Sequence, residues 1–111
     1  MNYRYLSKKD SVQSWFLNGE YHREDGPAII WADGGKEWYI NGIRHREDGP
    51  AIITYDGTKM WLIKGEYHRE DGPAYESIDG HKAWYIKGKK LTEQEFNDFL
   101  LRKRLQRIME L

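Results

Sequence analysis

A histidine and two carboxylates occur together three times in this sequence, within a loop that reads His-Arg-Glu-Asp-Gly-Pro-Ala. An imidazole beside carboxylates is a combination that can bind a metal ion or transfer protons. The candidate residues, in three identical copies 23 positions apart, are His22, Glu24, Asp25, His45, Glu47, Asp48, His68, Glu70 and Asp71.

A structural role explains the loops better than catalysis. A reaction needs one such set, whereas this set recurs in strict register with glycine and proline. The side chain of an aspartate before glycine can form a hydrogen bond with its own backbone, and proline fixes the backbone φ angle where the chain leaves the loop. We therefore interpret the loops as a ladder in which histidine and arginine pair with carboxylates of the same or the adjacent copy. A repeated ligand or protein contact is a second interpretation. No catalytic residue, metal site or cofactor is predicted.

The same period organises the rest of the chain. Tryptophan, for example, recurs at Trp15, Trp38, Trp61 and Trp84. A fixed period of this length is typical of repeat proteins, in which each copy is one supersecondary unit. We divide the repeat array, residues 1–90, into a half repeat (3–14), three full repeats (15–37, 38–60 and 61–83) and a partial repeat (84–90).

Each full repeat predicts two main strands. A run such as Trp38-Tyr39-Ile40 leads into an Asn-Gly or Lys-Gly turn, and Asn-Gly between apolar runs is a strong hairpin signal. A second strand follows the loop and ends at Asp-Gly. The predicted fold is an all-β repeat array, an antiparallel hairpin meander in a single elongated sheet, followed by a C-terminal α-helix. The half repeat should cap the sheet edge, where Lys8 and Lys9 discourage further pairing.

Alternation along the strands predicts the core. Trp38 and Ile40 point to one side and Tyr39 to the other. We expect the tryptophan side to be buried by stacking of neighbouring copies, because each buried tryptophan is worth roughly 4–6 kcal/mol before entropy. Trp31 lies outside this register, and core and contact roles both stay open for it. His81 lies in a turn and is expected to be solvated.

The segment 91–111 contains a predicted helix at 93–110, with Thr92 and Glu95 as a capping box. Phe96, Phe99 and Leu100 share one face of this helix. An opposite stripe gives the predicted partner-binding residues, which are Leu101, Arg104, Leu105, Ile108 and Met109. In one interpretation the first half caps the sheet and the second half frays or packs back. In another, the second stripe binds a partner protein or a second copy. Membrane contact is a weaker third, because acidic residues offset the basic ones.

Composition excludes several classes of function. Eighteen basic and eighteen acidic side chains cancel, so no long-range field attracts nucleic acid. Five tryptophans and eight tyrosines argue against disorder, and the absence of cysteine excludes disulfides. The N-terminal residues include no apolar run that would predict a signal peptide, so we expect a cytoplasmic protein. No phosphate-binding glycine loop or nucleophile elbow occurs, and we do not expect an enzyme.

The repeat resembles the MORN repeat across roughly residues 10–90. The matching pattern in the second copy is Trp38-Tyr39-Ile40-Asn41-Gly42, His45, Gly49 and Asp56-Gly57. The chain departs from that family by placing Arg46-Glu47-Asp48 between the histidine and the glycine, and Pro50 after it. It looks more like divergent MORN-like arrays of bacteria and phages, some described as antitoxins. The resemblance implies an elongated sheet of hairpins that binds other proteins.

We therefore expect a non-catalytic protein–protein interaction module, of the phage or bacterial inhibitor or antitoxin kind. The alternative is a small-ligand or glycan module. Aromatic hairpin repeats are also similar to choline- and glucan-binding wall modules, in which aromatic rings cage a cation or stack on sugar.

Overall fold

The computed structural model describes residues 11–111 in full and residues 4–7 as backbone. In this part of the chain a series of short strands precedes one helix. The elements are β1 (Arg4–Ser7), β2 (Gln13–Leu17), β3 (Glu20–Tyr21), β4 (Ile29–Ile30), β5 (Lys36–Glu37), β6 (Tyr39–Ile40), β7 (Ile43–Arg44), β8 (Ile52–Ile53), β9 (Lys59–Met60), β10 (Leu62–Ile63), β11 (Glu66–Tyr67), β12 (Tyr75–Glu76), β13 (Lys82–Ile86), β14 (Lys89–Leu91) and α1 (Glu93–Met109). The predicted all-β meander with a C-terminal helix is confirmed.

Within the described residues, ten strands form one antiparallel sheet in the order β1-β2-β4-β5-β8-β9-β12-β13-β14, with β3 paired to β2. Each full repeat therefore adds two strands, and the molecule is flat and long, with extents of 51 × 36 × 18 Å. The predicted edge strand is β1, which pairs only with β2 among the described strands. Lys8 and Lys9, the predicted edge lysines, lie outside the described residues.

The strand that carries the tryptophan changes partner at that residue. Before Trp38, β5 belongs to the large sheet, and after it β6 pairs with β7 in a separate ribbon. At the break, the Trp38 amide donates to the Ala51 carbonyl at 2.8 Å, and the Trp38 carbonyl accepts from the His45 amide at 3.0 Å. The third repeat forms the same ribbon from β10 and β11. The array is thus a large sheet with a row of hairpin ribbons beside it.

The hairpin turns have the predicted type I′ geometry. Asn41 and Gly42, for example, have φ angles of 50° and 78°. A type I′ turn requires positive φ at both central residues, which glycine and asparagine adopt most easily. The equivalent turns, also with positive φ at both positions, are Asn18-Gly19, Lys64-Gly65 and Lys87-Gly88.

The prediction of a buried tryptophan face is wrong, although the alternation is correct. Trp38 and Ile40 line the same groove beside the loops. Tyr39 contacts Tyr21 of the preceding repeat instead, with 5.1 Å between ring centroids. The tryptophans at positions 15, 38, 61 and 84 are only half-buried. Among the described residues, the buried apolar side chains are Ala28, Ile29, Ala51, Leu62, Ala74 and Phe96. Small alanines let adjacent backbone segments approach closely, whereas each ring needs a cover of its own.

The helix begins with the predicted capping box and packs against the last hairpin, β13 and β14. The Thr92 hydroxyl accepts a hydrogen bond from the Glu95 amide at 3.1 Å, and the Glu95 carboxylate accepts one from the Thr92 amide at 2.8 Å. Phe96 is buried, and α1 contacts β13 and β14. The helix ends at Met109, one residue before the predicted end. From residue 101 onward every residue is exposed, so the second half of the helix is not buried against the array.

Candidate functional site

The three histidines connect consecutive repeats. The Nδ1 atom of His45 accepts a hydrogen bond from the backbone amide of Lys64, in the turn of the next repeat, at 2.8 Å. His22 makes the same bond to Asn41 at 2.9 Å, and His68 to Lys87 at 2.9 Å. An inter-repeat ladder therefore exists, and its links run from imidazole to backbone.

The glutamate of each loop orients its histidine. The Nε2 atom of His45 lies 3.1 Å from Oε2 of Glu47, and the distance from His22 to Glu24 is 3.2 Å. Because Nδ1 accepts from an amide, it carries no proton in this arrangement, so Nε2 is the atom that donates to the carboxylate. Both ring nitrogens are thus engaged in holding the array together.

The arginine of each loop covers the tryptophan of its own repeat. The Cζ atom of Arg46 lies 4.0 Å from the centroid of the Trp38 ring. Its Nε donates to Asp48 at 2.9 Å and its Nη1 to the Pro50 carbonyl at 3.1 Å. Equivalent stacks join Arg23 to Trp15 at 3.9 Å and Arg69 to Trp61 at 3.7 Å. A cation over an indole face is an attractive arrangement, and it shields the ring from water.

The glycine of each loop forms the other side of this stack. A Cβ atom placed on Gly49 would lie 2.7 Å from Cζ of Arg46, which is too close for a real contact. The guanidinium is therefore held between the indole and the loop backbone. Gly26 and Gly72 stand in the same relation to Arg23 and Arg69, at 2.9 and 3.0 Å. Each loop side chain thus has a structural partner, which supports the ladder interpretation. The predicted pairing is found within each copy.

The carboxylates nevertheless face outward. The side chains of Glu47 and Asp48 are 80% and 87% exposed, whereas that of Arg46 is 24% exposed. Within residues 11–111, no group of three or more histidine, aspartate and glutamate side chains is arranged to hold a metal ion. Neighbouring loops enclose two open grooves. The first groove, about 780 Å³, lies between the loops of Arg23–Gly26 and His45–Asp48, and the second, about 650 Å³, lies between the loops of Arg46–Pro50 and His68–Asp71.

The predicted partner-binding residues of the helix are all exposed. Leu101 and Leu105 are each 49% exposed, Ile108 is 58% exposed and Met109 is 84% exposed. Arg104 is exposed beside them. The side chains at positions 101, 105, 108 and 109 follow the spacing of one helix face, so they form a continuous apolar stripe of about two turns.

One contact joins the helix to the loops. The Nζ atom of Lys103 lies 2.7 Å from Oε1 of Glu70, and it also lies over the Phe99 ring at 5.4 Å. The hydrogen bond from Lys103 lowers the pKa of Glu70, although partial burial opposes this shift. Neither this bond nor the stacking of arginine on tryptophan was predicted. The arginine follows its tryptophan by eight positions in every full repeat, and that constant spacing was the available signal.

The structure gives the environments of Trp31, whose role the sequence left open, and of His81, which was expected to be solvated. Trp31 is exposed, and its indole nitrogen donates to Glu37 at 2.9 Å. It lines a shallow groove with Tyr55 and Tyr75, so it is not a core residue. His81 is exposed as predicted, and its Nδ1 lies 2.8 Å from Asp79.

Comparison with protein-family models, with curated proteins and with solved structures found no significant match. Within the described part of the chain, the helix is neither long nor apolar enough to cross a bilayer.

Proposed function

We propose that this chain is a non-catalytic, MORN-like interaction module that binds another protein through the exposed stripe of its C-terminal helix. The observation that carries the proposal is the exposure of Leu101, Leu105, Ile108 and Met109 on one face. Exposed apolar side chains that form a continuous patch are typical of interaction sites, whereas isolated ones are common on any surface.

The arrangement of the helix supports this role. Its first half is anchored by Phe96, and the Lys103–Glu70 contact braces it further along. A helix that is already ordered loses less entropy on binding than a disordered segment does. An amphipathic helix can lie in a groove of its partner and use residues at i, i+4 and i+7 as anchors. Arg102 and Arg104 flank the stripe on the helix surface, so we expect an apolar groove with an acidic rim.

The biological role that best agrees with the repeat pattern is that of a bacterial or phage inhibitor or antitoxin, which acts by covering a surface of its target. A cytoplasmic location is part of this proposal. The choline- or glucan-binding alternative is weaker. In those modules tryptophan faces cage the ligand, and here the chain's own Arg23, Arg46 and Arg69 occupy one face of three tryptophans.

The test compares two charge-matched variants. Leu105→Lys places a charge in the stripe, and Gln106→Lys places the same charge on a neighbouring face. Both sites are exposed, so folding should be unchanged, which circular dichroism verifies. Partners captured from the native host lysate are purified and their affinity for each variant is measured. We expect Leu105→Lys to weaken binding at least 10-fold and Gln106→Lys to have little effect, because anchors near an interface centre carry most of its energy.

Two outcomes would contradict the proposal. Equal loss with both variants would indicate an effect of charge alone. Retention of a specific partner by Leu105→Lys would move the function to the repeat array. Sedimentation of the wild-type chain distinguishes a separate partner from a second copy of this chain.

A further inference from the structure

The two grooves between the loops repeat with the period of the array. Trp38 and Ile40 line the first groove, and the equivalent Trp61 and Ile63 line the second. In each groove an aromatic and an aliphatic side chain lie between two loops that carry carboxylates. Such a groove suits the apolar stem of a long cationic side chain, whose charged end would meet the carboxylates.

In each groove the positive and negative charges lie at different depths. Each loop has one arginine and two carboxylates, so it carries one net negative charge when its histidine is neutral. The arginine lies back against the tryptophan, while the carboxylates extend outward. A ligand that approaches the grooves therefore meets acidic groups first. The overall charge of the chain is zero, so this acidic face is a local feature.

The chain itself supplies one example of a cation on this face. Lys103 of the helix contacts Glu70 of the third loop, and the side chain of Glu70 is 43% exposed. Glu47 occupies the same position in the second loop and is 80% exposed. Among the described residues, no lysine or arginine pairs with Glu47 as Lys103 pairs with Glu70.

We propose that the loop face binds a basic, extended segment of a partner protein, with one arginine or lysine side chain in each groove. Each repeat contributes two strands to the large sheet, and adjacent strands lie about 4.8 Å apart, so the grooves are spaced by about 9.6 Å. A polyproline II segment advances about 9.3 Å per three-residue turn. Basic residues at every third position of such a segment therefore match the spacing of the grooves.

The first experiment measures peptide binding by the full-length protein. The probe peptide has the sequence Gly-Arg-Pro-Pro-Arg-Pro-Pro-Arg-Gly. The control peptide has the same composition, with the three arginines adjacent. Binding is followed by NMR, and we expect the indole signals of Trp38 and Trp61 to shift with the spaced peptide. We expect that peptide to bind at least 5-fold more tightly than the control. Equal affinity for both peptides, or no binding of either, would overturn the proposal.

Variants then locate the site. Glu47→Gln removes the charge next to both grooves and keeps an oxygen that can accept from His45, so the fold should persist. We expect it to weaken binding of the spaced peptide about 5-fold. Glu93→Gln makes the same charge change at the start of the helix and should have little effect. Equal weakening by both variants would indicate attraction by net charge and would refute a site in the grooves.

The contact made by Lys103 gives a test in the opposite direction. Lys103→Gln releases Glu70 and should tighten binding of the spaced peptide about 2- to 5-fold. Lys90→Gln makes the same charge change on β14 and should leave affinity unchanged. If Lys103→Gln has no more effect than Lys90→Gln, the second groove does not bind the peptide. This surface is separate from the apolar stripe, so its failure would leave the proposed role of the helix intact.

Discussion

His45 binds the backbone of the next repeat, because its Nδ1 accepts from the Lys64 amide at 2.8 Å. Lys64 has a φ of 51° and lies in the turn between β10 and β11, outside the residues that pair these strands. Since the link is made to a backbone group, the side chain at the turn position is free to vary. It is asparagine at position 41 and lysine at positions 64 and 87.

Replacing His45 should test this link directly. His45→Ala leaves the Lys64 amide without its acceptor and removes packing, so we expect a loss of about 1–3 kcal/mol in the free energy of unfolding. His45→Asn keeps an acceptor oxygen near the position of Nδ1 and should lose clearly less. Urea denaturation measures both. If the two variants are equally unstable, the hydrogen bond from the Lys64 amide does not account for the contribution of His45 to stability.

Gly49 should not accept a side chain while Arg46 is present. A Cβ at this position would lie 2.7 Å from Cζ of Arg46, so Gly49→Ala must displace the guanidinium from Trp38. We expect a destabilisation of about 1–3 kcal/mol, as for other overpacked sites. In an Arg46→Ala background the same change should cost much less. Additive effects in this double-mutant cycle would show that the two residues are not coupled.

The tryptophans that recur every 23 positions should contribute far more to stability than Trp31. Trp38→Ala removes a half-buried ring together with the surface that Arg46 covers, and we expect a loss of about 3 kcal/mol. Trp31→Ala removes an exposed ring and should cost less than about 1 kcal/mol. Thermal and urea denaturation measure the unfolding free energy of the two variants. A larger loss for Trp31→Ala than for Trp38→Ala would contradict this prediction.

The interaction between Asp79 and His81 should weaken both at low pH, where the aspartate is protonated, and at higher pH, where the histidine loses its proton. Hydrogen bonds from Ser77 and then His81 lower the pKa of Asp79 to about 2, and the hydrogen bond to Asp79 raises the pKa of His81. The aspartate contribution is therefore present above its ordinary value of 3.8 and is lost as the pH falls through about 2. The histidine contribution is present below its ordinary value of 6.5 and is lost as the pH rises through the raised pKa.

NMR titration of the two side chains measures this behaviour. His81→Asn should raise the pKa of Asp79 toward its ordinary value but not fully, because the Ser77 hydroxyl still donates to it. Both groups are exposed, so we expect the pair to order the turn with little effect on global stability. An unchanged pKa of Asp79 in the variant would mean that the ring makes no lasting contact.

Local signals explain why the strands and the helix could be predicted. Asn41-Gly42 adopts the turn that its own backbone preferences favour, and Thr92 with Glu95 completes a cap within one helical turn. The core could not be predicted in the same way. Alternation placed Trp38 and Ile40 on one side but did not show what covers that side. The cover is Arg46, a charged residue that a hydropathy argument assigns to solvent.

The amino-acid sequence by itself determined the repeat period, the hairpin turns and the capped helix, because each depends on residues close together in the chain. Only the tertiary structure decided how the copies are joined and what they expose. The bond from His45 to Lys64 spans 19 positions and the contact from Lys103 to Glu70 spans 33. Which side chains meet over such distances depends on the change of strand partner at each tryptophan and on the direction of the helix. Neither is encoded in a short stretch of residues.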